Sequence, residues 1–306
     1  MLRRQGVHGL ALAHRPTGPA AELTDSQFMR RILAVFAHPD DEGAIAGTLT
    51  RYARQGSRVA LVSVTRGEAG EISDPALASP ENLGAVREQE LRCACRQIGI
   101  EALHFLGYCD SGMEGTPDNQ RPTAFIQANA DEVVGRLVGV IRRIKPDIVI
   151  TFDESGWYGH PDHVATGRYT TQAYRLAGRA DAFPQAGWPW QPARLFHALL
   201  PLSTFRPLVN YARQHDIDLG QMGELNLDER DEVLEKVTHV VDARAFFDVR
   251  RQVWACHRTQ FGDDHFFNRL PADVMADAMA QEYFTQVEPP IRPPASPHRE
   301  LLTGLP

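Results

Sequence analysis

The sequence predicts an α/β protein: a Rossmann-like three-layer αβα fold with a mainly parallel sheet, followed by a C-terminal extension. Three observations lead there. Short apolar runs alternate with longer amphipathic ones over the first 200 residues. Helix-stop residues such as Gly56 and Pro146 close the amphipathic stretches. Every unusual polar cluster sits directly behind an apolar run, where open α/β sheets hold their ligands.

Taken in order, "RILAVFA" (31–37) reads as a buried strand and "DEGAIAGTLTRYARQG" (41–56) as the helix after it. "SRVALVSV" is the second strand, "NLGAVREQELRCACRQIGI" a helix with Leu83, Val86, Leu91 and Ile98 on one side, and "EALHFLG" the third strand. "FIQANADEVVGRLVGVIRRIKP" is a long helix stopped by Pro146. "DIVITFD" is the fourth strand, "PDHVATGRYTTQAYRLAGR" the fourth helix and "ARLFHALL" the fifth strand. Strands separated by helices imply parallel pairing with both faces covered. Beyond residue 200 the pattern weakens. "THVVDARAFFDVRRQVWACHRTQ" suggests a short strand and a helix capped by Asp242, and "PADVMADAMAQEYF" (271–284) a last helix. "VEPPIRPPASPHRELLTGLP" is proline-rich and reads as extended chain. The Pro/Trp loop 181–192 is long enough to border a pocket.

The 306 residues are 43% hydrophobic and 23% charged, an ordinary globular composition. A net charge of -7 argues against a nucleic-acid surface. No apolar run approaches the roughly 18 residues of a membrane span. The four cysteines, Cys93, Cys95, Cys109 and Cys256, form no C-x-x-C pair and read as free thiols in a reducing cytoplasm. Met29, just before the first strand, is a candidate start.

The chemistry concentrates in two loops. "AVFAHPDDEGA" (34–44) puts His38, Asp40, Asp41 and Glu42 behind the first strand, and "GHPDH" (159–163) puts His160 and His163 behind the fourth. In the common strand order 3-2-1-4-5, these strands are neighbours at the switch point, so the loops would converge. A hydrolytic zinc needs about three protein ligands and an open position for water. His38 and Asp41, three apart at a strand-to-helix turn, can point at one ion, with His163 as third ligand. Two nitrogens and one carboxylate suit Zn²⁺, or Fe²⁺ or another first-row divalent metal. Asp40 is then placed to take a proton from water whose pKa the metal lowers from about 15.7 toward roughly 7. His160, when protonated, would stabilise the oxyanion and protonate the leaving amine. Alone, Asp41 and Glu42 read equally well as helix-start acids, and His160 with His163 as surface histidines.

Together "AHPDDE" and "GHPDH" resemble the LmbE-like, or PIG-L, family of zinc-dependent N-acetylglucosaminyl de-N-acetylases over roughly residues 30–265. The likeness is greatest to the bacterial mycothiol- and bacillithiol-pathway deacetylases. The resemblance implies one divalent metal on His38, Asp41 and His163, with Asp40 as general base and His160 stabilising the tetrahedral intermediate. It also implies that Asp162 orients His160 and that Tyr158 contacts substrate or oxyanion. Arg87 and Asp110 would bind the sugar hydroxyls or the aglycone. "TRGEAG" (65–70) resembles the family's T-x-G-E-x-G element. Cys109 stands where the family often has a basic residue, so no binding role is carried to it.

The expected organisation is a mobile tail (1–28), a metal-binding catalytic core (29–200), an α/β extension bordering the pocket (201–285) and a proline-rich tail (286–306). The expected function is removal of the N-acetyl group from an N-acetylglucosaminyl conjugate in low-molecular-weight thiol biosynthesis. The expected substrate is a small molecule, with no nucleic acid and no membrane span, and the oligomeric state is left open. Two rival readings are a non-catalytic metal-containing sugar-binding protein and a Mg²⁺-dependent phosphoryl-transfer enzyme. Against the latter stand the histidine donors and the lack of a G-x-x-x-x-G-K-[ST] loop. The aglycone stays open between malate, inositol, a lipid-linked inositol and an oligosaccharide. His257 reads as a helix-packing residue, and Arg66 with Glu68 as a surface pair. Trp157, Trp188 and Trp190 read as packing groups or as a wall for a sugar ring.

Overall fold

A computed structural model describes residues 29–219, 227 and 231–305; the expected tail 1–28 lies outside the described residues. One seven-stranded sheet runs in the order β3-β2-β1-β4-β5-β7-β6. Its strands are β1 (Arg31–Phe36), β2 (Arg58–Ser63), β3 (Ala102–Phe105), β4 (Ile148–Phe152), β5 (Arg194–Leu199), β6 (His239–Asp242) and β7 (Gln281–Glu288). The first five pair in parallel, and β7 is antiparallel to both β5 and β6. Strand order therefore reverses between β1 and β4, as expected, and the loops after them share one end of the sheet.

Period-two alternation builds two cores from one strand. Ile32, Ala34 and Phe36 face α1 (Ala46–Arg54), α2 (Leu83–Ile98) and α7 (Phe247–Cys256). Leu33 and Val35 face α3 (Ala130–Ile144) and α5 (Pro161–Ala177) on the other side, the single turn α4 (Gly156–Gly159) coming just before α5. A third cluster joins Leu208 and Val209 of α6 (Arg206–Gln214) to Met275 of α8 (Ala272–Ala278). No described helix is long and apolar enough to cross a membrane.

Three local expectations change, and a fourth takes an unexpected place. The first helix starts late: Asp41–Ile45 is a 3₁₀ turn, and α1 begins at Ala46. The acids there bond backward, Asp41 to the His38 N–H and Glu42 to the Asp40 N–H, which shapes a turn instead of capping a helix. The stretch expected as one helix over 271–284 stops at Ala278 and becomes β7, where Glu282, Phe284 and Gln286 point inward at strand period. The cysteines are not all free thiols: Cys93 and Cys256 form a disulfide between α2 and α7, leaving Cys95 and Cys109 free. Packing of those helices brings the two Cα atoms to 5.6 Å across 163 residues of sequence, a proximity no local spacing reports. The Pro/Trp loop 181–192 does border a pocket, through Phe183, Gln185 and Ala186 against α3, but one away from the two histidine loops: Trp190 Nε1–H donates to Pro146 O, just before β4 begins. It follows α5, which starts behind β4 and carries the chain back to the sheet's opposite end.

Beyond β7 the proline-rich segment runs through turns and bends, and it is anchored. Leu301 is wholly buried, its N–H donates to the Tyr52 hydroxyl, and Glu300 pairs with Arg51.

Candidate metal centre and active site

β1 ends in Phe36, and the chain turns through Asp40, held at φ 108°. Few non-glycine residues adopt this conformation, and it persists only where neighbours over-determine it. They do so here. The Asp40 N–H donates to Glu42 Oε2 at 3.0 Å, and the Asp40 carboxylate accepts from Arg87 Nη2 at 3.1 Å. Arg87 also grips Pro39 O and Gly67 O. Behind β4, Gly156 at φ 62° lets the backbone pass within contact of α5; a Cβ there would meet His163 Cβ and Val164 N at 2.8 Å. Pro161 then starts α5, and His163 stacks on Phe152 at 4.1 Å.

The two loops meet. His38 Nδ1 faces His163 Nε2 at 3.1 Å across 125 residues of sequence. Asp41 reaches both, with Oδ1 at 3.2 Å from His163 Nε2 and Oδ2 at 3.7 Å from His38 Nδ1. The other His38 nitrogen, Nε2, lies 3.2 Å from Asp162 and 3.4 Å from Asp110. A carboxylate behind one ring nitrogen directs the lone pair of the other forward, the usual support for a metal-ligating histidine. Ligand nitrogens of His38, His160 and His163 also lie within 4.8 Å of one another, as do a His38 nitrogen and carboxylate oxygens of Asp110 and Asp162. His163 Nδ1 and Asp162 Oδ1 are buried without a partner among the described residues. This donor set, two imidazoles facing each other among four acids, suits a divalent cation.

The electrostatics agree. Burial acts to lower the His38 pKa, but Asp110, Asp162 and Asp41 overcome it and hold it well above the ordinary value. Without a cation the acids keep a proton on that ring. Burial raises Asp41, yet His163 and His38 bring it down to about 2. Burial lifts Asp40 to about 6 against the pull of Arg87. Burial and repulsion from His38 and His163 lower His160 to about 4. The neutral His160 accepts the Asp162 N–H at Nδ1, which puts its proton on Nε2.

The remaining expected residues fall as follows. The Asp162 carboxylate lies against His38 and accepts the Ser111 N–H; its link to His160 is through its backbone. As second residue of α5, Asp162 turns its side chain toward His38 and gives His160 only its main-chain N–H. Tyr158 is 59% exposed at the rim, its ring 5.1 Å from that of His163. Arg87 and Asp110 are both buried and committed to protein partners: Arg87 as described, Asp110 to His38 and to the N–H groups of Gly112 and Ala69. Arg87 braces Asp40 and Asp110 braces His38. Of the tryptophans, Trp157 packs beside Phe152 at the site, while Trp188 is 86% exposed.

One buried pair behind the catalytic turn has no signature in the sequence. His257 is wholly buried, and its Nε2 lies 2.6 Å from Glu42 Oε1. Glu42 thus links α7 to the backbone of Asp40. Its place in "HPDDE" marked it as unusual, but only the packing of α7 supplied the partner.

Residues 33–174 match the family described as PIG-L, GlcNAc-PI de-N-acetylase. The 1D-myo-inositol 2-acetamido-2-deoxy-alpha-D-glucopyranoside deacetylase of Thermobispora bispora is 38% identical over 268 residues, covering 84% of this chain and 87% of that protein. The Thermomonospora curvata protein of the same name is 36% identical over 294 residues, covering 90% and 97%. Among solved structures, the N,N'-diacetylchitobiose deacetylase of Pyrococcus horikoshii shares the fold, with a TM-score of 0.59, 20% identity and coverage of 84% and 83%. The chain belongs to the PIG-L family of de-N-acetylases.

Proposed function

We propose that the enzyme hydrolyses the acetamide of an N-acetylglucosaminyl conjugate, with an N-acetylglucosaminyl-inositol as the first substrate to test and low-molecular-weight thiol biosynthesis as its setting. The observation that carries this reading is the convergence of His38, Asp41 and His163 in one buried cluster with Asp40 beside it. The relatives' names supply the substrate class.

His38 Nδ1, His163 Nε2 and Asp41 would hold the ion, zinc by preference for two imidazoles and a carboxylate. When bound, it supplies a Lewis acid that polarises the amide carbonyl and acidifies water. Asp40 takes the proton from the attacking water and returns it to the amine nitrogen as the C–N bond breaks. Arg87 and the Glu42-bound backbone keep that carboxylate in place. His160 donates its Nε2–H to the oxygen that becomes negative. As a neutral ring it acts as a donor, so the acid step passes to Asp40. Asp110 and Asp162 hold the His38 ring, and Tyr158 at the rim contacts the substrate.

The test is Asp40→Asn. Acetate release should fall about 10²- to 10⁴-fold while metal content stays at one ion per chain. Undiminished turnover would refute the base assignment. Unimpaired binding of the conjugate by the metal-loaded wild type without acetate release would favour a non-catalytic role.

A further inference from the structure

A cavity of about 280 Å³ opens from the catalytic turn, bordered by Asp40, Asp41 and Tyr158 and continuing between the core and the C-terminal segment. Its far walls are Leu200, Phe205, Trp254, Phe261, Phe267 and Met279. Trp254 stacks on Phe267 at 4.5 Å, and Phe261 lies parallel to Phe267 at 5.9 Å, so the aromatic wall is a packed surface. The wall touches the catalytic turn directly: a Cβ at Gly43 would come 3.2 Å from Trp254 Nε1.

Several polar groups on this wall are already engaged, although Arg250 Nε is buried without a hydrogen-bond partner among the described residues. Arg250 and Glu282 pair with each other, and Glu282 also accepts the N–H groups of Gly47 and Thr48. The Thr204 hydroxyl donates to Pro201 O, and the Tyr283 hydroxyl to Gln281. None of the braced groups Arg87, Asp110 and His38 borders the cavity. An inositol placed here would give up hydration of its hydroxyls with few partners in return. An alkyl or aryl group would exchange water for apolar contact.

We infer that this cavity is a subsite for an apolar substituent of the substrate, a short alkyl chain or a single ring, carried either by the aglycone or by the N-acyl group. The inference rests on the deacetylase reading for its place beside the scissile bond. Its volume sits near the lower end of ligand pockets, about 300–1,000 Å³.

Two glycoside series test it, with methyl N-acetylglucosaminide as the shared reference. One lengthens the aglycone from methyl to hexyl and to phenyl; the other keeps the methyl glycoside and lengthens the acyl group from acetyl to hexanoyl. The expected result with the zinc-loaded full chain is a rise in kcat/KM of about three- to fourfold per buried methylene in one series, levelling off when the cavity is full. The series that rises identifies the source. In Ala278→Trp, which fills the cavity from α8, the long-chain gain over the reference should collapse to under about threefold. Turnover of the reference with no gain in either series would overturn the subsite. No turnover of any substrate would overturn the deacetylase reading. Calorimetric titration of hexyl glucoside against glucose then still decides the subsite: tighter binding of the hexyl compound, with a negative heat-capacity change that Ala278→Trp removes, upholds it, and equal binding refutes it.

Discussion

Replacing Glu42 tests whether the buried pair behind the catalytic turn is what holds Asp40 in its left-handed conformation. Glu42 is 1% exposed, with one oxygen 2.6 Å from His257 Nε2 and the other on the Asp40 N–H at 3.0 Å. Burial lowers the His257 pKa, but Glu42 outweighs it and holds the ring above its ordinary value. Glu42→Ala would leave an uncompensated buried imidazolium and a free N–H at a residue whose backbone is strained. Removing one partner of a buried pair costs about 3–5 kcal/mol. Glu42→Gln keeps an acceptor and removes the charge, so its loss should be about 1–3 kcal/mol. The double variant Glu42→Gln/His257→Gln replaces the ions by neutral amides and should lose less than the sum of its singles by about 1–3 kcal/mol. Urea unfolding at neutral pH reads all of these. Activity reads the positioning: an Asp40 displaced by about 1 Å should cost about 10²-fold in kcat, and Glu42→Gln should recover more of it than Glu42→Ala. Single variants that lose under about 1 kcal/mol, or a strictly additive double, would refute the reasoning.

Other outcomes follow from the packing. Arg142 is buried and donates to the carbonyls of Ala177, Arg179, Ala182, Phe183 and Gly187; Arg142→Met removes all five of these bonds and should lower unfolding stability by about 2–4 kcal/mol, read by denaturant titration. His239 is 3% exposed and held neutral, with burial and the charges of His298 and Arg194 lowering it to about 4. Because the unfolded chain binds that proton first, stability should fall by on the order of 2 kcal/mol as pH drops from about 6.5 to 4. His239→Gln should flatten that slope, and an unchanged slope would discount the residue. Alkylation of the unfolded chain should modify Cys95 and Cys109 alone without reductant and all four cysteines with it; four modified thiols before reduction would exclude the Cys93–Cys256 bond.

The order β3-β2-β1-β4-β5 was legible because buried parallel strands read as short apolar runs and helices as amphipathic ones, both local signals. So were the two histidine loops, since their crowding of acids and imidazoles has no cheap structural explanation. β7 was not legible, because "QEYFTQVE" follows α8 closely and its alternation matters only against β5 and β6. The Cys93–Cys256 bond and the Glu42–His257 pair were hidden for a related reason: both join α7 to distant segments, and sequence spacing carries no information on helix-to-helix distance.

Residue types and their order thus determined the layered fold and the chemistry of the site: imidazoles and carboxylates at the carboxyl ends of two strands. Tertiary structure alone decided which acid faces which ring. It turned Asp162 and Asp110 onto His38, withdrew Arg87 from solvent onto Asp40, and set an aromatic wall from the C-terminal segment beside the catalytic turn. The physical reason is range: backbone preference and hydrophobic periodicity act over a few residues, whereas burial, charge pairing and cavity shape depend on whatever the completed packing brings within a few ångströms.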